Sequence, residues 1–275
     1  SALRGHEVRL YEASDRLGGQ VNLAARLERR REIIGITDWL AREVELAGVA
    51  VELNRYVEPE EVAALEPDIV VVATGGVPNT EFFGAGAELV LSGWDVLAQP
   101  QRLTGEVLVY DENGQHQGPS VAELLARQGA SVTFVVPDRM PLVELGATNS
   151  AQFMKALYGH GVRFVPDLAL RGVRREGNRL VATFKNLYTE RQEELAAAHI
   201  VVEHGTLPAA ELYHGLKERS RNHGEIDLEA LLAGRPQALL ANPDGRFQLF
   251  RVGDAVTSRN IHAAIYDSLR LCKDF

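Results

Sequence analysis

Cysteine occurs once in these 275 residues, at Cys272. A single thiol excludes an internal disulfide, a Cys-x-x-Cys redox pair and any zinc or iron–sulfur site made by this sequence alone. Beside Leu269 and Leu271 on an expected terminal helix, it reads as a buried or half-buried spectator. No stretch approaches the roughly 20 apolar residues of a membrane span, and no charged-then-apolar leader stands at the start. A cytoplasmic protein is therefore expected. Basic residues are in deficit, 29 Lys and Arg against 38 Asp and Glu, for a net charge of -9. Nucleic-acid and anionic-membrane partners both require a basic patch, so neither is expected. The one basic run, Arg26, Arg29, Arg30 and Arg31, reads as a solvated helix face.

The rest of the composition, 45% hydrophobic and 24% charged, is that of a soluble α/β protein with room for one large or two medium domains. Its most informative stretch is VRLYEASDRLGGQ, Val8 to Gln20. In a dinucleotide-binding βαβ unit a strand runs into G-x-G-x-x-G and a helix, and an acid roughly 20 residues later takes the adenosine ribose hydroxyls. Ala2 to Glu7 reads as the end of that helix with a glycine cap, Val8 to Tyr11 as the second strand and Glu12 as the ribose acid. The expectation is that the chain begins inside the motif, with its first strand and phosphate loop belonging to a larger protein.

Alternation of strand and helix continues. Glu28 to Ala47 has helical spacing of apolar residues and stops at Gly48; Val49 to Leu53 is a short strand; Pro59 opens a helix over Glu58 to Leu65. Asp68 to Ala73 is a continuous apolar run, expected as a parallel strand buried on both faces, and it ends in Ala73-Thr74-Gly75-Gly76. After Ala98-Gln99-Pro100-Gln101 a second unit starts, with a strand over Glu106 to Tyr110, a helix over Pro119 to Gln128 and a strand over Ser131 to Val136. A helix over Ala147 to His160 and a strand over Val162 to Val165 follow, and Leu180 to Lys185 with His199 to Val202 read as an antiparallel meander. The segment from Pro208 is loop-rich, a strand over Phe247 to Val252 runs into Gly253-Asp254, and Asn260 to Lys273 is a terminal helix.

The second unit departs from a working dinucleotide site. Where a strand should meet clustered glycines stands Asp111-Glu112-Asn113-Gly114-Gln115-His116-Gln117-Gly118. Two carboxylates at a strand end would face a pyrophosphate, and each like-charge contact at about 4 to 6 Å costs roughly 3 to 4 kcal/mol, enough to erase a micromolar site unless the side chains turn away. A vestigial nucleotide fold is expected there rather than a working NAD(P)H site. Arg139 could meet a 2′-phosphate but reads first as a surface arginine, and the carboxylate pairs Glu193-Glu194 and Asp227-Glu229 read as solvated loop. His116 is expected to hydrogen-bond its own turn, and His262 to cap, to pack or to lie near a cofactor.

Glu12 with Arg16-Leu17-Gly18-Gly19, Ala73-Thr74-Gly75-Gly76, an intervening βαβ unit and Val252-Gly253-Asp254 recur in an order that resembles the two-dinucleotide-domain flavoprotein reductases. The implied fold class is α/β, with two Rossmann-like dinucleotide-binding domains, the second inserted into the first. Residues 1–98 and 207–275 would form the FAD- or ADP-binding domain and 99–206 the NAD(P)-like one. YDENGQHQGPSVAELLARQG, SRNHGEIDLEALLAGRPQ and RVGDAVTSRNIHAAIYDSLRLCKDF further resemble the C-terminal half of NADH:flavin oxidoreductases of the trimethylamine dehydrogenase and dimethylglycine or N-methylproline demethylase branch.

That resemblance implies an N-terminal barrel of the old yellow enzyme type in the same polypeptide, carrying FMN, a 4Fe-4S cluster, all catalytic residues and the site for a small-molecule amine. None of those residues, and no metal ligand, is carried onto this sequence. It also implies that Glu12, Arg16, Gly18, Gly19, Ala73, Thr74, Gly75, Gly253 and Asp254 contact FAD or ADP, Glu12 through the ribose and Asp254 through a ribityl hydroxyl if the ligand is FAD. Two readings compete with amine oxidation: NAD(P)H-dependent reduction of an enoate or 2,4-dienoyl-CoA, against which Asp111 and Glu112 count, and a purely structural domain. An open sheet edge left by the absent strand would be available to a second copy, giving a homo-oligomer.

Overall fold

The computed structural model describes residues 1–80, 82–98 and 103–273. After a 3-10 turn at Ala2–Arg4, closed by Gly5 at φ 93°, come β1 (Arg9–Tyr11), α1 (Gln20–Ala24), α2 (Ile34–Leu46), β2 (Ala50–Glu52), α3 (Pro59–Ala64), β3 (Ile69–Val72) and β4 (Gly76–Pro78). Then follow β5 (Leu91–Ser92), α4 (Gly93–Ala98), β6 (Glu106–Asp111), α5 (Gln117–Arg127), β7 (Ser131–Val135), α6 (Ala147–Gly159) and β8 (Arg163–Val165). The last part holds β9 (Leu168–Glu176), β10 (Arg179–Asn186), β11 (Gln192–Ala197), β12 (His199–Glu203), β13 (Thr206–Pro208), α7 (Glu211–Lys217), α8 (Leu228–Ala233), β14 (Gln248–Arg251) and α9 (Ile261–Cys272). No helix among the described residues is long and apolar enough to cross a membrane.

Two compact units emerge: residues 1–22, 33–77 and 206–275 form one, and residues 23–32 and 78–205 the other. The first boundary thus falls at Val77/Pro78 and not after Ala98, because β5 pairs with β12 and so belongs to the second unit's sheet. Gln99, Pro100 and Gln101, on which the expected boundary rested, lie outside the described residues.

The second unit is built on a five-stranded sheet of order β5-β12-β6-β7-β8, parallel throughout. Its core follows from the two-residue period of β6. Val107 and Val109 pack on one face with Val121, Leu125 and Leu157 from α5 and α6. Leu108 and Tyr110 pack on the other with Leu170, Leu180 and Phe184 of a separate antiparallel sheet, β11-β10-β9. The expected meander is therefore β9 to β11, and His199–Glu203 instead joins the parallel sheet beside β6. An apolar run of that length looks the same in either sheet; its partner is chosen by distant residues.

The first unit is made of pairs. β1 lies parallel to β2, β3 parallel to β14, and β4 beside β13. Neither β1 nor β3 bonds a second strand among the described residues. The expected burial of β3 on both faces is not met: of Ile69–Val72 only Val72 is buried. The core here is small, with Val62, Val72, Tyr213, Leu216, Phe247, Leu249 and Ala255 at its centre.

Local sequence explains other departures. The helix expected over Glu28 to Ala47 divides into a 3-10 stretch at Glu28–Ile33 and α2. Arg26, Arg29 and Arg31 of the basic run are exposed, as expected, but two of them also have partners: Arg29 donates twice to Glu123, at 3.0 and 3.1 Å, and its guanidinium lies over Phe153, while Arg26 donates to Leu97 O at 2.6 Å. Glu193 and Glu194 lie on β11 and not in a loop, with Glu194 clamped by Arg174. Asp227 caps α8 by accepting from Ala230 N at 2.9 Å. Arg139 pairs with Asp167 at 2.6 Å but remains 75% exposed, as a surface arginine.

Candidate nucleotide-binding site

Glu12 follows β1 and is aligned by the backbone on both sides, its N–H donating to Glu52 O and its carbonyl accepting from Arg55 N. Its Oε1 accepts from Ser14 N at 2.8 Å and Ser14 Oγ at 2.7 Å, which holds the carboxylate in one orientation. Its Oε2 accepts no hydrogen bond among the described residues, and Glu12 as a residue is half-buried; a carboxylate oxygen left free in this way can accept from a vicinal diol. Arg16 pairs with its neighbour Asp15 and projects into solvent at 62% exposure.

Gly18 and Gly19 separate in role. Gly18 has φ 113°, and a Cβ there would stand 2.3 Å from Thr37 Cγ2, so its glycine lets α2 pack against the loop. Gly19, at φ 47°, has nothing within 4 Å of a built Cβ and faces open space. Past the end of β3, Thr74 Oγ1 donates to Ala209 O, and Gly75 at φ 75° accepts from Ala209 N at 3.0 Å. These bonds fix Ala73, Thr74 and Gly75 as a turn.

At the end of β14, Gly253 at φ 62° turns the chain, and its N–H donates to Asp267 Oδ2 at 3.3 Å. Asp254 follows, accepting from Gln20 Nε2 at 3.2 Å and from Arg259 N at 3.1 Å. Gln20 Nε2 also lies 3.8 Å from a Cβ built on Gly75. The structure therefore gathers Gly75 and Asp254 around Gln20, a residue not singled out from the sequence although it ends the Leu17-Gly18-Gly19-Gln20 loop. Asn260, and not His262, caps α9, accepting from Ala263 N at 2.9 Å; His262 lies parallel to Tyr266 on an exposed face.

In the second unit the strand-end carboxylates turn to opposite faces. Asp111 is 1% exposed and pushed up to about 7, first by burial and against the pull of the Gly114 and Asn113 N–H groups. Glu112 turns toward Tyr110, whose hydroxyl donates to it at 2.9 Å, and toward His204, 3.2 Å away and stacked on Phe82. Its pKa is lowered, chiefly by His204. His116 makes no side-chain bond to its own turn, contrary to expectation; its ring packs against Phe153 and burial pushes it down to about 4. Glu203, missed in the sequence, pairs in register with Asp111 and is raised to about 8, first by burial and then by Asp111. The signal was present: two apolar strands each end in an acid, as Val109-Tyr110-Asp111 and Val201-Val202-Glu203.

No protein-family model matches the chain. It is 44% identical over 271 residues to a probable N-methylproline demethylase of Rhizobium meliloti (strain 1021), covering 98% of this chain and 40% of that protein. It is 43% identical over 286 residues to the N,N-dimethylglycine/sarcosine dehydrogenase of Chromohalobacter salexigens, covering 100% of this chain and 41% of that protein. The chain thus spans about two fifths of the length of these curated relatives, both of them oxidoreductases. Among solved structures, histamine dehydrogenase from Rhizobium sp. 4-9 superposes with a TM-score of 0.81 over 99% of this chain and 40% of that one; at 19% identity this shows a shared fold.

Proposed function

We propose that this chain is the nucleotide-binding and assembly part of a larger flavin-dependent oxidoreductase that demethylates or dehydrogenates an N-methylated amine. The observation that carries the reading is the likeness along nearly the whole chain to two enzymes named for N-methyl substrates, each more than twice its length. The chemistry would occur at an FMN in an N-terminal barrel of the same polypeptide, with a 4Fe-4S cluster accepting the electrons; Cys272 alone cannot ligate such a cluster. The isolated chain is then expected to show no turnover.

Within the chain, the two units are taken as dinucleotide-binding-type domains, and the first holds FAD or ADP. Glu12 Oε2 would accept the ribose hydroxyls, Gly19 would admit the ligand to the backbone, and Asp254, steadied by Gln20, would meet a ribityl hydroxyl. The open edges of β1 and β3 support completion of this unit by a further strand or, in a homo-oligomer, by a second copy. Reduction by NAD(P)H entering at the second unit is disfavoured by the buried Asp111 and Glu203.

Two substitutions in the full-length protein test the site. Hydrogen bonds to a charged acceptor are worth about 1.5 to 3 kcal/mol, so Glu12→Ala is expected to weaken nucleotide retention roughly 10- to 100-fold whichever nucleotide is bound. Asp254→Ala weakens retention only if the ligand is FAD, since ADP has no ribityl chain. Unchanged nucleotide content in purified Glu12→Ala would contradict the assignment.

A further inference from the structure

We propose that Asp111 acts as a built-in ligand, its carboxyl group occupying the place against the first turn of α5 where a nucleotide fold seats a ligand phosphate, so that the second unit is closed to NAD(P)H by its own side chain. The proposal rests on the dinucleotide-type reading of that unit given above.

Position supplies the first argument. In the order β5-β12-β6-β7-β8, the chain runs from β6 through β7 to β8 on one side of β6, while β5, which precedes β6, and β12, which follows β8, lie on the other. The crevice between β6 and β12 is thus the switch point of the sheet, where open α/β folds take ligands at the carboxyl ends of their strands. Asp111 ends β6 and Glu203 ends β12, paired in register. By the pleat, both share the face of Val109 and Val201, which is the face covered by α5.

Donors supply the second. Two successive backbone N–H groups, of Asn113 at 3.0 Å and Gly114 at 3.1 Å, converge on Asp111 Oδ1. Such a concave pair of amides is what cradles a phosphate oxygen in nucleotide loops. Here the acceptor is intramolecular.

Gly118 supplies the third. It lies in the first turn of α5 without a left-handed φ, so its backbone does not require glycine. A Cβ at that position would stand 2.5 Å from Asp111 Cγ and 2.6 Å from Asp111 Oδ2. In a ligand-binding loop a glycine at such a place admits a phosphate; here it admits the aspartate. Asp111 Oδ2 is buried without a hydrogen-bond partner, packed against this turn. The sequence reading expected repulsion by two carboxylates facing the ligand; the structure has one carboxyl in the seat and Glu112 on the opposite face.

A mutant cycle on the full-length protein tests occupancy without any ligand. Gly118→Ala is expected to lower the melting temperature by roughly 5 °C or more, whereas in an Asp111→Gly background the same change is neutral or stabilising, because the carboxyl is gone and alanine favours the helix. Asp111→Ala, which removes Cγ and both oxygens but keeps the Cβ that would stand 2.7 Å from a Cβ at position 118, serves as the background if Asp111→Gly does not fold, and there the loss from Gly118→Ala is expected to be reduced and not abolished. Equal losses in both backgrounds overturn the proposal.

NADH titration followed by fluorescence then tests closure. Asp111→Gly/Glu203→Gln is expected to bind at least tenfold more tightly than the wild type, and Asp111→Asn/Glu203→Gln, which keeps the seat filled without charge, no better than the wild type. Wild-type protein that binds as tightly as the Asp111→Gly double variant overturns the proposal. Coupling between positions 111 and 118 with no gain in NADH binding overturns instead the dinucleotide-fold reading beneath it.

Discussion

Asn222→Ala will destabilise the first unit by about 3 to 5 kcal/mol, at the upper end of single substitutions. Asn222 is 1% exposed and uses its whole amide: Nδ2 donates to Glu225 O at 2.7 Å and to Leu249 O at 2.8 Å, and Oδ1 accepts from Leu249 N at 2.9 Å. Alanine strands three backbone groups, two of them on Leu249, whose side chain is fully buried in β14. An unpaired buried group costs about 1 to 3 kcal/mol, and the two groups of Leu249 are the buried ones, so they dominate the loss. Because β14 delivers Gly253 and Asp254 to the candidate site, bound nucleotide should fall together with stability. Urea unfolding with nucleotide content measured on the same samples checks both; a loss under 1 kcal/mol would show that Asn222 does not hold β14.

The second large effect depends on pH. Burial, aided by the charges of Asp138 and Glu112, lifts Asp111 to about 7, and burial, aided by the charge of Asp111, lifts Glu203 to about 8. In the unfolded chain both titrate near pH 4. Between about pH 4 and pH 8 the unfolded chain has therefore released protons that the folded chain still holds, so stability falls as pH rises through this window and levels off above it. Asp111→Asn/Glu203→Gln keeps the shape and an acceptor for the Asn113 and Gly114 N–H groups but cannot ionise. It should be more stable than the wild type by a few kcal/mol at pH 9 and by much less at pH 5. A stability difference that does not grow with pH would mean that the pair ionises freely in the folded protein.

Local pattern carried the reading furthest where structure is local. The strand, helix and glycine cap of β6, α5 and Gly129 follow from an apolar run, a proline near the helix start and a glycine that takes φ 96°. The Gly253-Asp254 turn is legible for the same reason. What escaped was the choice of partners. Nothing near Arg29 announces Glu123, 94 residues away, and nothing in His199–Glu203 distinguishes a meander strand from a parallel one.

The region 220–237 shows the same limit at the site itself. Its polar residues read as loop, yet α8 interrupts it and the rest is fixed: Ser220 Oγ donates to Lys217 O and accepts from Gly224 N, Tyr213 Oη donates to Gly224 O, and Gln237 exchanges two bonds with the Asp227 backbone. Gly224 at φ 69° has its Cα so close to Tyr213 that a Cβ would fall 2.4 Å from the hydroxyl. Of the site residues named from the sequence, Glu12 and Asp254 have geometry that a ligand could use, whereas Gly18 is explained by packing against Thr37. Periodicity reports which face is buried, and it is silent on what the polar residues there hold.

The most direct test of the proposed function is made on the full-length polypeptide as purified. Denaturation releases the bound small molecules for identification by mass, and iron is assayed on the same sample. The account predicts FMN with iron, together with ADP or FAD; FAD alone without iron would contradict it and leave a stand-alone flavin reductase.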